Sequence, residues 1–408
     1  MSILEKLSCL NEVNLIWNSL PQARLVGGAV RDLLVGNNIA DVDMATPEPP
    51  ELIMKNLKSA GISVIPTGLS HGTVTAIINH HPYEITTLRK DVVTDGRHAQ
   101  VVWTDSWEED AARRDFTINA MFCDQEGKIW DFYNGQQDLF SGKIRFVGNA
   151  KERIEEDVLR SLRFFRFYAR YGKQILDEDA VAAIQQTTHL LKNLSAERVW
   201  SELKRILTGP MTADIMQMMD HYGVLSALLP FGYDVSFFTK MIQMDAPNHP
   251  ILRLAGLVTG EDNVISKQLR LSRQEEQLLK ALQRKWDIHP QDDDIQLRQL
   301  RALFDLELLI YCSWMKQLRN DQPSSEWDRW RERLAAIEQP VFPVKGKDLF
   351  QYNIKPGVEM GEALSEIKQW WLQHGCYGNQ QDCLEWFKNN KEKRIDINYL
   401  IFADKWFK

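Results

Sequence analysis

Leu25-Val26-Gly27-Gly28-Ala29-Val30-Arg31-Asp32, followed by Asp41-Val42-Asp43, places a double glycine, an Arg-Asp pair and two carboxylates in one short unit. The spacing predicts a strand over Ile39 to Ala45. Side chains at i and i+2 then share a face, so Asp41 and Asp43 can meet the same hard cations while Val42 and Met44 turn to the core. Gly27 and Gly28 let the backbone approach an anion closely, and a helix over Val30 to Val35 would aim its first N–H groups at that anion. A metal and a triphosphate would thus meet in one unit, which suits metal-assisted nucleotidyl transfer.

Working outward, alternation in Pro82-Tyr83-Glu84-Ile85-Thr86-Thr87-Leu88-Arg89 sets Glu84 opposite Tyr83 and Ile85. Glu84 is either a third carboxylate beside Asp41 and Asp43 or a solvated strand glutamate. Arg113-Arg114-Asp115-Phe116-Thr117-Ile118-Asn119-Ala120 places two cations and a carboxylate together, a set suited to triphosphate and ribose.

In Glu155-Glu156-Asp157-Val158-Leu159-Arg160-Ser161-Leu162-Arg163-Phe164-Phe165-Arg166-Phe167, helical spacing puts Arg160 on one face with Glu156 and Asp157, with Arg163 and Arg166 continuing in steps of three. Such a face can be a solvated ladder of ion pairs. Three arginines in step beside Phe164 and Phe167 favour a ligand face. Asp157 with Arg160 can also choose a base. Cytosine and adenine both present an amino donor beside a ring acceptor, which an aspartate and an arginine match. Uracil and guanine present the reverse, at a cost of roughly 1–3 kcal/mol per bidentate contact.

The chain has 408 residues, 44% hydrophobic and 26% charged, which predicts a modular globular protein of several domains. No apolar run approaches the roughly 20 residues that span a bilayer, and no secretory signal is evident, so a cytoplasmic location without membrane contact is expected. Cys9, Cys123, Cys312, Cys376 and Cys383 lack zinc spacing and read as free thiols. The net charge of −7 leaves room for local basic strips. Short β-rich runs end near residue 146: Ala23 to Val26, Gly72 to Ile78, Tyr83 to Leu88, Ile118 to Cys123 and Lys128 to Phe132. Long helical patterns follow, over Lys151 to Tyr171, Asp177 to Leu191, Ser195 to Leu207 and Thr212 to His221. Lys90 to His98 is polar, contains Asp95-Gly96 and reads as a mobile loop. Lys345, Lys347, Lys388, Lys391, Lys393 and Arg394, with Trp386, form either a phosphate-binding strip with aromatic support or solvated helix faces.

These motifs, in this order, resemble the class II tRNA nucleotidyltransferases (CCA-adding enzymes) and their bacterial poly(A) polymerase relatives, over roughly the first half of the chain. Asp131-Phe132-Tyr133-Asn134-Gly135 with Asp138-Leu139 resembles the family's hinge-like motif, with Phe132 where many relatives carry proline, so more local backbone freedom is expected. Leu194-Ser195-Ala196-Glu197-Arg198-Val199-Trp200 resembles the helix start that supports the base-pairing template.

The resemblance implies an α+β fold: a DNA polymerase β-like nucleotidyltransferase head (1–146), then an all-helical neck (147–210), body (211–338) and tail (339–408). It implies addition of C, C and A to the 3′ end of tRNA from CTP and ATP, with Asp41 and Asp43 holding Mg2+. Gly27, Gly28, Arg31, Arg114, Asp115, Asp157, Arg160, Arg163 and Arg166 would contact nucleotide, and Glu84 would join the catalytic carboxylates. It also implies that the 90–98 loop serves the switch from C to A. No protein partner is implied. Asp220-His221 reverses the His-Asp order of a metal phosphohydrolase, so that domain is not expected. An A-adding polymerase with the same head, or a non-catalytic tRNA-binding protein, are the alternatives.

Overall fold

The computed structural model describes residues 3–39, 41–94, 99–320 and 324–390. It parts into two compact units, Met1–Pro230 and Phe231–Lys408, at a point inside the 211–338 segment expected as the body. The first unit is built on strands β1 (Arg24–Val26), β2 (Asp43–Thr46), β3 (Ser63–Gly68), β4 (Thr73–Ile78), β5 (His81–Thr87), β6 (Arg89–Thr94), β7 (Ala99–Trp103), β8 (Met121–Cys123) and β9 (Ile129–Asp131). Seven of them form one sheet in the order β3-β4-β5-β2-β1-β8-β9, and β6 and β7 form a separate hairpin.

Register explains why one sheet face is apolar and the other carries chemistry. Val74, Ile85, Met44, Leu25 and Cys123 are successive cross-strand neighbours, and all are fully buried. One residue along, on the opposite face, Thr75, Glu84 and Asp43 line up in the same way. The pair β2 and β5 is parallel within an otherwise antiparallel sheet, and this sets Asp43 beside Glu84.

Helices α1 (Leu10–Ser19), α2 (Gly28–Val35) and α3 (Pro50–Ser59) belong to the head, with α2 against β1 and β8 and α3 against β3 and β4. Two short helices, α4 (Trp107–Ala112) and α5 (Gly135–Ser141), lead to α6 (Ala150–Glu156), α7 (Arg160–Tyr171), α8 (Glu178–Thr187), α9 (Ala196–Leu207), α10 (Thr212–His221) and α11 (Val224–Leu228). An aromatic seam fixes α7: Phe164 stacks on Phe146 at 6.2 Å, and Phe167 meets Phe116 edge-on at 5.3 Å.

Several elements differ from expectation. The strand predicted over 39–45 begins only at Asp43, although Val42 and Met44 are buried as alternation requires. The run Ile118 to Cys123 is strand only from Met121, because Thr117–Asn119 forms a 3-10 turn. The edge strand β3 was not anticipated, since it contains Pro66 and is largely exposed; an edge tolerates a missing N–H. The segment expected as a loop at 90–98 is strand up to Thr94, and its remaining residues, 95–98, lie outside the described residues. The single helix expected over 151–171 is two, because Asp157 is extended, with φ −149° and ψ 100°. Its carboxylate accepts from the Leu159 N–H, so it breaks one helix and helps start the next.

Among its described residues the second unit is built of helices, from α12 (Val235–Gln243) to α20 (Gln380–Asn390), with one isolated bridge between Tyr233 and Val258. Trp327 and Trp330 meet edge-on in its interior, and Trp371 is buried in a separate cluster with Leu349, Ile367 and Phe387. No described helix is long and apolar enough to cross a membrane. All five cysteines are free.

Candidate active site

Gly27 has a positive φ (φ 63°, ψ −118°), a backbone conformation that only glycine adopts without strain, and it turns β1 directly into α2. A cleft of about 510 Å³ opens at this turn. Gly27, Gly28, Arg31 and Asp43 line it from the sheet side, and Arg114 and Asp115 from the segment after α4. Asp157, Arg160, Arg163 and Arg166 line it from the α6–α7 region. Ten of the twelve residues singled out in the sequence thus face one cavity. Asp41 instead lines an adjoining hollow with Cys9, Glu12, His81 and Tyr83, and Glu84 reaches the site as the register neighbour of Asp43.

The arginines are not free charges on a helix face. Arg163 donates to Asp115 from Nε (2.7 Å) and Nη2 (2.5 Å), and Arg166 donates from Nε to the buried Glu202 at 2.6 Å. Arg31 is buried, donates to Asn119 at 2.6 Å and to Asp32, and lies over Tyr171 at 4.5 Å. Tyr171 in turn donates to Asp32 at 2.5 Å. Burial raises the Tyr171 phenol to about 12, with Asp32 adding to the effect, so it stays a donor.

Burial pushes the Asp115 carboxyl upward, but Arg163, Asn119 and the Phe116 N–H outweigh it and hold the group below the usual carboxylate range. The ladder of pairs expected as the alternative to a ligand face is realised among the described residues only around α6, where Lys151 pairs with Glu155 at 3.9 Å and Glu156 pairs with Arg153 and takes Arg160 Nη1 of α7 at 2.7 Å. The other partners come from elsewhere in the unit.

Asp157 and Arg160, expected to share a helix face, are separated by the break. Asp157 is gripped by Arg198 of α9, whose Nη2 donates to both carboxylate oxygens at 2.9 and 2.8 Å. Arg160 donates to the carbonyls of Arg153 (2.9 Å) and Arg113 (3.1 Å) as well as to Glu156. Both still line the cleft. A carboxylate can accept about four hydrogen bonds, so Asp157 retains acceptor capacity, and Arg160 keeps its Nε–H.

Comparison with known proteins decides the family. A model described as the Poly A polymerase head domain matches residues 23–145, and one described as the probable RNA and SrmB- binding site of polymerase A matches residues 175–234. The mitochondrial CCA tRNA nucleotidyltransferase 1 of Mus musculus is 36% identical over 388 residues, covering 90% of this chain and 86% of the relative. The chain belongs to the CCA tRNA nucleotidyltransferase family. The CCA-adding enzyme of Staphylococcus saprophyticus is 30% identical over 372 residues, covering 85% of this chain and 89% of that enzyme. The crystal structure of the Bacillus stearothermophilus CCA-adding enzyme in complex with CTP superposes with a TM-score of 0.74 at 28% identity, covering 95% of this chain and 99% of that one.

Enzymes of this family use a divalent metal for catalysis. The residues present fit one. Asp43 opens to solvent, yet the protein packed around it pushes its carboxyl above the ordinary range; Glu84 and Asp41 add to this, and Arg114 opposes it. Crowded hard oxygens of this kind are what a divalent cation neutralises. Among the described residues, no three carboxylates, histidines or cysteines close into a ready metal cage, so the acidic edge is an open one.

Sequence reasoning missed the residues that hold this family site together. Asp110 is fully buried and takes Arg113 at 2.7 Å and Arg114 at 2.8 Å. The signal was the spacing of three and four residues between Asp110 and the arginine pair. Glu202 stands four residues after Arg198 on α9; the resemblance had set the Arg198 segment in support of the template, as its grip on Asp157 shows, but nothing pointed Glu202 at α7. The Asp131 turn also differs from expectation. Its carboxylate accepts from the N–H groups of Gly135 (2.8 Å) and Gln136 (2.9 Å), and a Cβ on Gly135 would lie 2.2 Å from the Thr117 carbonyl oxygen. With Phe132 in place of proline, the backbone here is pinned rather than loosened. In the second unit, Lys345 and Lys347 are exposed as a basic strip requires, but Trp386 stacks on Trp370 at 5.4 Å. Lys391, Lys393 and Arg394 lie outside the described residues.

Proposed function

We infer that this chain adds C, C and A in turn to the 3′ end of tRNA, taking CTP and ATP and releasing pyrophosphate without a nucleic-acid template. The observation that carries the reading is a single cleft where the start of α2, Asp43, the arginines and the Asp157–Arg160 wall face one another. The 36% identity to a CCA tRNA nucleotidyltransferase along nine-tenths of the chain supports it.

Asp41 and Asp43, with Glu84 beside them, would hold magnesium, whose preference for carboxylate oxygens suits this donor set. Bound there, magnesium would supply Lewis-acid chemistry, lowering the pKa of the attacking 3′ hydroxyl and offsetting charge on the departing pyrophosphate. The protein's own groups do the rest. The first N–H groups of α2 and the Arg114 guanidinium receive the triphosphate, with Arg31 behind them. Asp157 accepts from the base amino group, held in place by Arg198, and Arg160 donates to the ring nitrogen. CTP and ATP satisfy both contacts, whereas UTP and GTP set an acceptor against Asp157 and a donor against Arg160.

Incorporation of each labelled nucleotide into tRNA transcripts ending before CCA, after C, and after CC tests the reading. Ordered addition of C, C and A with neglect of UTP and GTP is the expected result. The match of the head to a poly(A) polymerase model gives a second reading, an A-adding enzyme, which A-only extension would establish. Binding of tRNA without any incorporation would overturn both.

A further inference from the structure

The buried carboxylate of Asp110 is not in the cleft, yet it controls what the cleft presents. It accepts from Arg114 Nε at 3.2 Å and Nη2 at 2.8 Å, a side-on grip that occupies two of the three guanidinium nitrogens through one oxygen. The third nitrogen, Nη1, is thereby aimed at the Gly27 turn, where it lies 3.3 Å from the position a Cβ would take. The other oxygen of Asp110 accepts from Arg113 Nε at 2.9 Å and from the Arg89 backbone N–H at 3.2 Å. Arg89 is the first residue of β6, so one side chain ties the base of the hairpin to both arginines of the cleft. Next to it, Glu109 pairs with Lys90 at 3.2 Å and fastens the same strand.

We propose that Asp110 is a positioning residue for nucleotide addition, holding Arg114 so that Nη1 meets the triphosphate at the start of α2. The proposal rests on the nucleotidyl-transfer reading above. A planar guanidinium held along one edge has its remaining N–H groups fixed in direction, so the contact with phosphate is made without searching rotamers. Without the anchor, Arg114 keeps its charge but loses its aim. The loss should fall on nucleotide binding more than on fold.

The test is a double-mutant cycle on the full-length chain, with KM and kcat for CTP and ATP measured beside thermal melting. Asp110→Asn should raise KM for both nucleotides by about tenfold to a hundredfold. In an Arg114→Ala background the same substitution should add little, because its effect passes through Arg114. Multiplicative losses in the two backgrounds, or an unchanged KM in Asp110→Asn, would overturn the proposal. If Asp110→Asn melts below the assay temperature, Asp110→Glu carries the cycle instead, with the same two outcomes. The wild-type chain, assayed in parallel, separates the two levels. Absence of incorporation there defeats the functional reading itself, while wild-type activity with a normal Asp110 variant defeats only the positioning role.

Discussion

Arg163 in the first unit and Arg331 in the second are both helical arginines paired to a carboxylate, and they serve opposite ends. Arg163 is held by Asp115 from outside its own helix and remains about a third exposed, on the wall of the cleft. Arg331 is nearly buried between two helices. It donates to Ser313 at 3.2 Å, to Gln317 at 3.0 Å and to Asp328 at 2.7 Å, and lies 3.9 Å from the Trp314 ring centroid. Every contact of Arg331 joins parts of one packed unit, whereas the partner of Arg163 fixes its direction and leaves its outer edge open. Counting arginines therefore does not find a site. What distinguishes Arg114, Arg163 and Arg166 is that their partners, Asp110, Asp115 and Glu202, are buried acids which orient these cations toward an open volume.

Substitutions on the two sides should separate accordingly. Asp43→Ala should lower nucleotide incorporation on the order of a thousandfold or more while leaving the melting temperature near that of the wild type, because it removes charge stabilisation only in the reaction. Substantial incorporation with magnesium in that variant would end the metal assignment. Asp157→Ala should act on choice: discrimination of CTP over UTP should fall on the order of 10- to 100-fold, read by competition between the two nucleotides on one primer. A variant that loses rate equally with all four nucleotides would remove Asp157 from base selection.

Arg331→Ala should do the reverse of both. It leaves Ser313 and Gln317 short of a partner and should cost roughly 1–3 kcal/mol in denaturant unfolding, with KM for CTP unmoved. A changed KM there would blur the contrast between the units. The smallest effect concerns acid. The folded-state pKa of Asp115 is depressed, so its contribution is fully present above the ordinary aspartate value of 3.8 and is lost as pH falls through the lower folded value. Asp115→Asn should therefore flatten the loss of stability below that pH, as followed by acid titration of the unfolding midpoint.

Alternation made the buried side of the carboxylate edge legible, although Asp41, expected to share a face with Asp43, lines a different hollow. Val42, Met44, Tyr83 and Ile85 are buried as their two-residue period demands, and the parallel register then sets Glu84 beside Asp43. The helical character of the chain after residue 146 was equally plain from its apolar spacing, but the break inside 151–171 was not. What could not be read was partnership across distance. The resemblance, not any local pattern, set the Arg198 segment behind Asp157, and Glu202 meets Arg166 only because α9 packs against α7. The helix break at Asp157 lacks glycine or proline, the usual marks of a stop, and depends on a side chain capturing a backbone N–H. The hairpin of β6 and β7 carried its own signals, Val92-Val93 and Val101-Val102-Trp103 on either side of Asp95-Gly96, but the polar residues between them read as a loop.

The parallel pairing of β2 with β5 has a consequence for how this chain could be rebuilt. Neighbouring strands running the same way are matched by hydrogen bonds, so Asp43 and Glu84 stay abreast whatever the length of chain between them. That intervening segment turns at Gly61, where a side chain would meet open space, and at Asn79-His80, a tight hairpin turn of two left-handed residues. The Gly61 turn is the natural place to insert foreign sequence, since added residues there would project outward and leave the acidic edge in register.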